Sequence, residues 1–170
     1  MTVSNAAHAP TNLASATAAV DAAIGNSTAV VTTRNNTNIP ESEMPIVGTQ
    51  PDNCATKVTG SFLLDDQNGT PGESITLTFG ILADDGSSLR IVGQDFDAAT
   101  DFTGDGVAGL IDVGGDMTLA ADYFTGNTNA FARITLLEGQ TYDFEAYHFE
   151  GGGGSNLNII YAMGDYLNTG

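Results

Sequence analysis

The stretch ESITLTFGIL, residues 73–82, alternates large apolar residues with small or polar ones. Because successive side chains of a strand point to opposite faces of a sheet, this period of two predicts a strand with one buried face. The predicted buried face carries Ile75, Leu77, Phe79 and Ile81, and the opposite face carries Thr76, Thr78 and Gly80.

The same alternation recurs in short segments after Val58. QTYDFEAYHF (140–149) places Tyr142, Phe144, Ala146 and His148 on one face, and SNLNIIYA (155–162) adds a further apolar strand. Short strands at this spacing, separated by Gly, Asn and Asp, are typical of antiparallel sandwiches and barrels. The sequence therefore predicts an all-β protein, an antiparallel β-sandwich or barrel.

Residues 1–55 differ in composition and are rich in Ala, Thr, Asn and Ser. Within them, residues 12–25 predict a short helix with Asn12 as cap and Gly25 as stop, and residues 27–33 predict a strand. We therefore expect a low-complexity N-terminal arm, extended or partly helical, over residues 1–55. A β domain would span residues 56–170, with an insertion at about 97–130.

Charge and cysteine content exclude several classes of protein. The chain has 4 basic and 21 acidic residues and a net charge of −17, which argues against binding to nucleic acid or anionic lipid. A solubilising acidic surface or a cation-binding function would each account for this negative net charge. Cys54 is the single cysteine, which excludes an internal disulfide and a cysteine-rich zinc site. No stretch is apolar for long enough to span a bilayer, and the first twenty residues lack the charge and apolar block of a secretory signal.

Two segments together resemble the signature halves of the PA14 domain family. ITLTFGILADDGSSLRIVGQDF (75–96) is similar to the first half, with a strand, DDGS and a short strand. ITLLEGQTYDFEAYHFEGGGGSNLNIIYA (134–162) is similar to the second half, with a glycine turn, Y-x-F-x-x-Y, an acidic or amide residue, a glycine-rich loop and a last apolar strand. The resemblance covers roughly residues 58–165, whereas residues 97–130 and the N-terminal arm lie outside the family pattern.

The resemblance implies a β-sandwich-like barrel and, in the lectin branch of the family, a site for Ca²⁺. There, two consecutive aspartates joined by a cis peptide bond hold the ion, which binds vicinal hydroxyls of a sugar. By position these would be Asp84 and Asp85, with Glu150 as the third side-chain ligand where flocculin-type lectins carry an amide. Carbonyl groups of Gly152 and Gly154 would complete the metal site, and Gly151 and Gly153 would join the sugar site. The chain has no Trp, whereas flocculin lectins often place one near the sugar.

The residues themselves leave two interpretations open. On a regular strand Asp84 and Asp85 would point to opposite faces, so convergence on one ion requires a departure from strand geometry, which the following Gly86 permits. Ca²⁺ takes about six to eight oxygens at roughly 2.3–2.6 Å, carboxylates and backbone carbonyls included, and a glycine loop can present carbonyls. The alternatives are an ordinary DDG turn and a hairpin loop that binds nothing.

A weaker second calcium loop is DFTGDGVAGLID, residues 101–112. Its first, third, fifth and twelfth positions are Asp101, Thr103, Asp105 and Asp112, and Gly106 stands at the sixth. Thr103 is a poor ligand and no flanking helices are evident. An Asp- and Gly-rich surface loop would give the same pattern.

Catalytic motifs are missing, so we expect a protein that is not an enzyme: there is no nucleophile elbow, phosphate loop or metalloprotease helix. His148 falls on an apolar strand face, as a packed core residue would. Two hypotheses follow. One is a calcium-dependent glycan-binding module, a lectin or adhesin, at the cell surface or outside the cell. The alternative is a self-assembling filament, surface-layer or virion subunit, in which residues 1–55 pack on a neighbour or donate a strand to it and calcium is structural.

Overall fold

The computed structural model of the chain describes residues 1–7, 11–33, 38–40, 52–65, 72–101, 108–124, 126 and 128–167. Within these residues the chain forms one helix, α1 (Leu13–Gly25), and twelve strands. The strands are β1 (Thr2–Ala7), β2 (Val30–Thr33), β3 (Asn38–Pro40), β4 (Cys54–Leu63), β5 (Ser74–Asp84), β6 (Ser87–Ile91), β7 (Ala98–Asp101), β8 (Ala108–Val113), β9 (Asp116–Ala121), β10 (Thr128–Leu137), β11 (Thr141–Glu150) and β12 (Asn156–Met163).

The described strands form two antiparallel sheets. Seven strands pair in the order β2-β1-β4-β11-β6-β9-β8, and five pair in the order β3-β12-β5-β10-β7. The prediction of an all-β antiparallel fold is confirmed, in the form of a sandwich of two separate sheets.

The main core lies between the sheets, and strand β5 supplies its centre. Leu77, Phe79 and Ile81 are buried there, as the alternation in 73–82 predicts. Thr78 is also buried, although it lies on the opposite face of β5. The reason is local, because its hydroxyl donates a 2.8 Å hydrogen bond to the Gly164 carbonyl and accepts a 3.0 Å hydrogen bond from the Tyr166 N–H. The segment after β12 therefore covers this face of the sheet.

The helix predicted at residues 12–25 is confirmed. The side chain of Asn12 accepts a 2.8 Å hydrogen bond from the Ser15 N–H, and the Ser15 hydroxyl accepts one from the Asn12 N–H, which is a capping box. The following strand starts at Val30, later than the predicted residue 27. Residues 27–29 instead close the helix end, where the Thr28 N–H donates to the Ala23 carbonyl at 2.8 Å.

The described part of residues 1–33 belongs to the fold of this chain. Strand β1 pairs with β4 on one side and with β2 on the other, so these two strands of the predicted arm lie here in the chain's own sheet. Helix α1 lies on the outer face of that sheet, where Leu13, Ala16 and Val20 form a second core cluster with Phe149. The contact of the arm with a partner, and the boundary at residue 55, stay predictions.

The described part of the predicted insertion, 97–130, widens both sheets. Strand β7 pairs with β10 at the edge of the smaller sheet, and the hairpin β8–β9 extends the larger sheet beyond β6. Across the described ranges, no helix has the length and apolar character that crossing a membrane would require.

Candidate metal centre

The topology brings two distant segments to the same end of the sandwich. Asp85 and Gly86 connect β5 of the smaller sheet to β6 of the larger one, and residues 151–155 connect β11 of the larger sheet to β12 of the smaller one. Because β12 pairs with β5 and β11 pairs with β6, the two crossings run side by side. The register places Asn156 opposite Asp84 and His148 opposite Ser87.

Three carboxylates meet where these crossings adjoin. Asp84, Asp85 and Glu150 each present an oxygen within 4.8 Å of the other two, an arrangement that could hold a metal ion. The Asp84–Asp85 peptide bond is cis. Asp85 is 6 % exposed and Glu150 is fully buried. The residues that the sequence predicts to converge are therefore brought together by the fold.

Amides of the loop 151–154, called the glycine loop below, hold two of these carboxylates. The Gly151 N–H donates to Asp85 Oδ2 at 2.9 Å, and the Gly152 N–H donates to Glu150 Oε1 at 2.6 Å. The second oxygen of Glu150, Oε2, is buried and has no hydrogen-bond partner among the described residues. A buried carboxylate oxygen without a partner is costly unless a cation or a proton meets it.

The electrostatics of Glu150 reflect this crowding. Burial, and next the negative charge of Asp85, raise the pKa of the Glu150 carboxyl to about 8. The Gly152 amide opposes this rise through its hydrogen bond to the carboxylate. A divalent cation among the three carboxylates would oppose it more strongly, because it would favour the charged form of each of them.

His148 supports the backbone of the site from the core. Its ring is fully buried, as predicted, and Nε2 lies 2.7 Å from the Asp84 carbonyl oxygen. A carbonyl oxygen only accepts hydrogen bonds, so Nε2 carries the proton and donates it. Burial lowers the pKa of His148 to about 4, and the imidazole is therefore neutral at physiological pH. His148 thus fixes the position of Asp84 through its main chain.

Two glycines near the carboxylates, Gly86 and Gly151, leave space for aromatic rings. A Cβ at Gly151 would lie 2.6 Å from a ring carbon of Phe124, and a Cβ at Gly86 would overlap the ring of Phe149. Within the glycine loop the left-handed region is occupied by Gly153, with a φ of +113°. The close approach of aromatic rings explains Gly86 and Gly151 better than the backbone freedom on which the sequence prediction rested.

A pocket of about 650 Å³ opens over the carboxylates. Five of its lining residues are predicted site residues, namely Asp84, Asp85, Gly151, Gly152 and Gly154. The other lining residues are Asn53, Phe124 and Gly126. Beside it, Asp52 Oδ1 accepts a 3.1 Å hydrogen bond from the Gly153 N–H. Asp52, Asn53 and Phe124 carry no motif that marks them in the sequence. The pairing of Cys54 with Glu150 in the β4–β11 ladder places the first two at the site.

The four predicted ligands of the second calcium loop are only partly described by the structure, and the two that are described lie in different sheets. Thr103 and Asp105 lie outside the described residues. Asp101 ends strand β7 of the smaller sheet, and Asp112 lies in β8 of the larger sheet, where its Oδ1 accepts a 2.9 Å hydrogen bond from the Gly115 N–H in the hairpin turn. A second calcium site therefore stays a prediction.

Comparisons with known proteins give a weak structural likeness. No protein-family model matches the chain, and no curated protein matches it. The crystal structure of the enzymatically active domain of tailspike protein 4 from bacteriophage CBA120 is 16 % identical over 65 % of this chain, with a TM-score of 0.31. This chain spans 14 % of the length of that protein. A likeness at this level carries no conclusion about function.

Proposed function

We propose that the chain is a calcium-dependent carbohydrate-binding module, a lectin or adhesin domain, of an extracellular or cell-surface protein. One observation carries the proposal: Asp84, Asp85 and Glu150 converge within 4.8 Å at an open pocket, with a fully buried Glu150 oxygen that no described residue satisfies. The resemblance of residues 75–96 and 134–162 to the PA14 lectin branch supports the same conclusion.

The donor atoms favour a hard cation such as Ca²⁺ over zinc and copper. All three side chains offer carboxylate oxygens, which suit hard cations, whereas zinc sites draw on nitrogen and thiolate. His148 Nε2 is already committed to the Asp84 carbonyl. Burial raises the pKa of Cys54 to about 12, so its thiol is protonated at neutral pH. Carbonyl groups of Gly152 and Gly154 are the expected additional ligands.

The open side of the site favours a sugar as the ligand. A bound Ca²⁺ would supply open coordination positions for two adjacent hydroxyl groups. The chain's own residues would shape the rest of the pocket, where Gly152 would leave room for a ligand against the main chain and the Phe124 ring packs against Gly151. Monovalent affinity for a simple sugar would be weak, so the whole protein would rely on several copies acting together.

Two titrations test the proposal. Calorimetric titration with CaCl₂ should give one binding event per chain, and methyl pyranosides should then bind in calcium but not in excess EDTA. A glycan array probed with tetramers of the biotinylated chain would detect weak ligands through multivalency. Pyranoside binding that persists unchanged in EDTA, or no calcium binding at all, would contradict the proposal.

A further inference from the structure

Phe124 is an exposed aromatic ring at the rim of the carboxylate pocket. It lines the pocket beside Asp84 and Asp85 and is 44 % exposed. Its ring centroid lies 5.1 Å from that of Phe149, at an interplanar angle of 66°. Phe149 is fully buried beneath α1, so one side of the Phe124 ring is anchored in the core while another side faces solvent.

The segment that carries Phe124 is held in place from two directions. Strand β9 ends at Ala121, and the next residue, Asp122, accepts a 2.6 Å hydrogen bond from the Leu13 N–H at the start of α1. On the other side, the ring lies against the first residue of the glycine loop, since a Cβ at Gly151 would lie 2.6 Å and 2.9 Å from two of its carbons.

The ring and the carboxylates are therefore neighbours on one small surface. The Gly151 N–H donates a hydrogen bond to Asp85, and Gly151 also packs against the Phe124 ring. A single glycine therefore separates the aromatic ring from the candidate metal ligands. Ligand pockets commonly combine apolar walls with a few convergent polar groups. Here the polar groups are carboxylates on one side and the apolar wall is one aromatic ring.

We propose that Phe124 is the specificity-determining residue of this pocket and selects ring-closed sugars by stacking against their C–H face. The proposal rests on the function proposed above. A pyranose offers hydroxyl groups at its edge and C–H bonds on its face, so it can use both surfaces at once. An acyclic diol such as glycerol offers adjacent hydroxyls without a rigid apolar face, and Phe124 would add little to its binding.

Three substitutions and one control test the role of the ring. Phe124→Leu retains a large apolar side chain but removes the aromatic face, and Phe124→Trp restores an aromatic face. Tyr123→Ala is the matched control, because Tyr123 is 55 % exposed in the preceding position but does not line the pocket. Phe124→Ala reports the effect of removing the side chain altogether.

The measurements are calcium affinity and methyl pyranoside affinity, each by titration, with glycerol as the competing diol. Phe124→Leu should bind Ca²⁺ within about twofold of wild type and pyranoside about fivefold more weakly, as expected for the loss of one aromatic contact. Glycerol binding should not change. Because the chain contains no Trp, Phe124→Trp also supplies a single tryptophan, whose emission should shift on addition of pyranoside in calcium.

The outcomes separate this inference from the function on which it rests. Equal pyranoside affinity of the wild-type and Phe124→Leu proteins overturns the role of Phe124 and leaves the lectin proposal intact. Wild-type protein that binds calcium but no pyranoside overturns both. If Tyr123→Ala weakens pyranoside binding as much as Phe124→Ala does, the effect is not specific to the pocket and the inference is likewise wrong.

Discussion

Replacing Glu150 with glutamine should stabilise the metal-free protein and weaken its binding of calcium. Glu150 is fully buried, and its Oε2 has no partner among the described residues. The substitution removes one negative charge and retains an oxygen that can accept the Gly152 N–H, which Oε1 binds at 2.6 Å in the wild-type protein. It also replaces a charged metal ligand with a neutral amide oxygen, which binds Ca²⁺ less strongly, so metal-free stability and calcium affinity should change in opposite directions.

The size of the effect follows from the spacing of the carboxylates. Two unit charges at the limiting separation of 4.8 Å repel by about 3.5 kcal/mol at an effective dielectric constant of about 20. Glu150→Gln removes two such pairs, with Asp84 and with Asp85. Because side chains relax and water enters when no cation is bound, we expect about 2–4 kcal/mol of net stabilisation rather than the full sum.

The stabilisation should depend on pH. The folded state raises the pKa of Glu150 to about 8, so between about pH 4.5 and pH 8 the folded metal-free protein binds more protons than the unfolded chain. Its stability therefore falls as pH rises through this window. Glu150→Gln lacks this loss, and its advantage over wild type should be small at pH 5 and largest above pH 8.

Urea denaturation followed by circular dichroism, in EDTA and in excess calcium, measures both effects. Asp143→Asn is the control for net charge, since Asp143 is an exposed residue of the same strand. Calcium at 100 times the wild-type dissociation constant should add about 2.7 kcal/mol to wild type and to the control, and clearly less to Glu150→Gln. The reasoning is refuted if Glu150→Gln is less stable than wild type in EDTA at pH 8.5, or if it gains as much from calcium.

Three further substitutions test two contacts at the site and one ion pair elsewhere in the larger sheet. Gly151→Ala forces a methyl group to within 2.6 Å of the Phe124 ring and should lower the free energy of unfolding by about 1–3 kcal/mol in the same urea assay. Its control is Gly109→Ala, which has open space around it and should lower the free energy of unfolding by less than about 1 kcal/mol. Asp52→Ala removes the 3.1 Å hydrogen bond to the glycine loop and should weaken calcium binding about fivefold by calorimetry; unchanged affinity would show that this contact is dispensable. Asp116→Asn should cost about 1–2 kcal/mol at pH 7, because a backbone amide and the Arg90 guanidinium lower the pKa of this carboxyl. That contribution is present above about pH 4 and is lost as pH falls through the lowered pKa, so a difference that persists unchanged at pH 2 would contradict it.

The strands were predictable because each has a local sequence pattern. The carboxylate cluster was predictable because two separate segments resemble the two halves of one family pattern. The alternation in 73–82 predicts the buried residues of β5, and the cap and stop residues predict α1. Asp84 and Asp85 could be linked to Glu150 through the resemblance of two separate segments, although the residues alone left an ordinary turn open.

The remaining features of the site depend on contacts between distant segments. Asp52 and Asn53 reach the glycine loop because β4 pairs with β11, and no local pattern encodes that pairing. Phe124 reaches the pocket because Asp122 anchors its segment to α1. Phe149 lies on the face of β11 opposite Phe144 and is buried, since α1 covers that face of the sheet.

A crystal structure of the protein grown in calcium addresses the central claim most directly. We predict a single strong density peak bonded to Asp84, Asp85 and Glu150 at about 2.3–2.6 Å, with further oxygen ligands from the glycine loop or water. Three carboxylates that point apart around empty solvent, or a calcium ion bound elsewhere while this pocket holds none, would contradict the account.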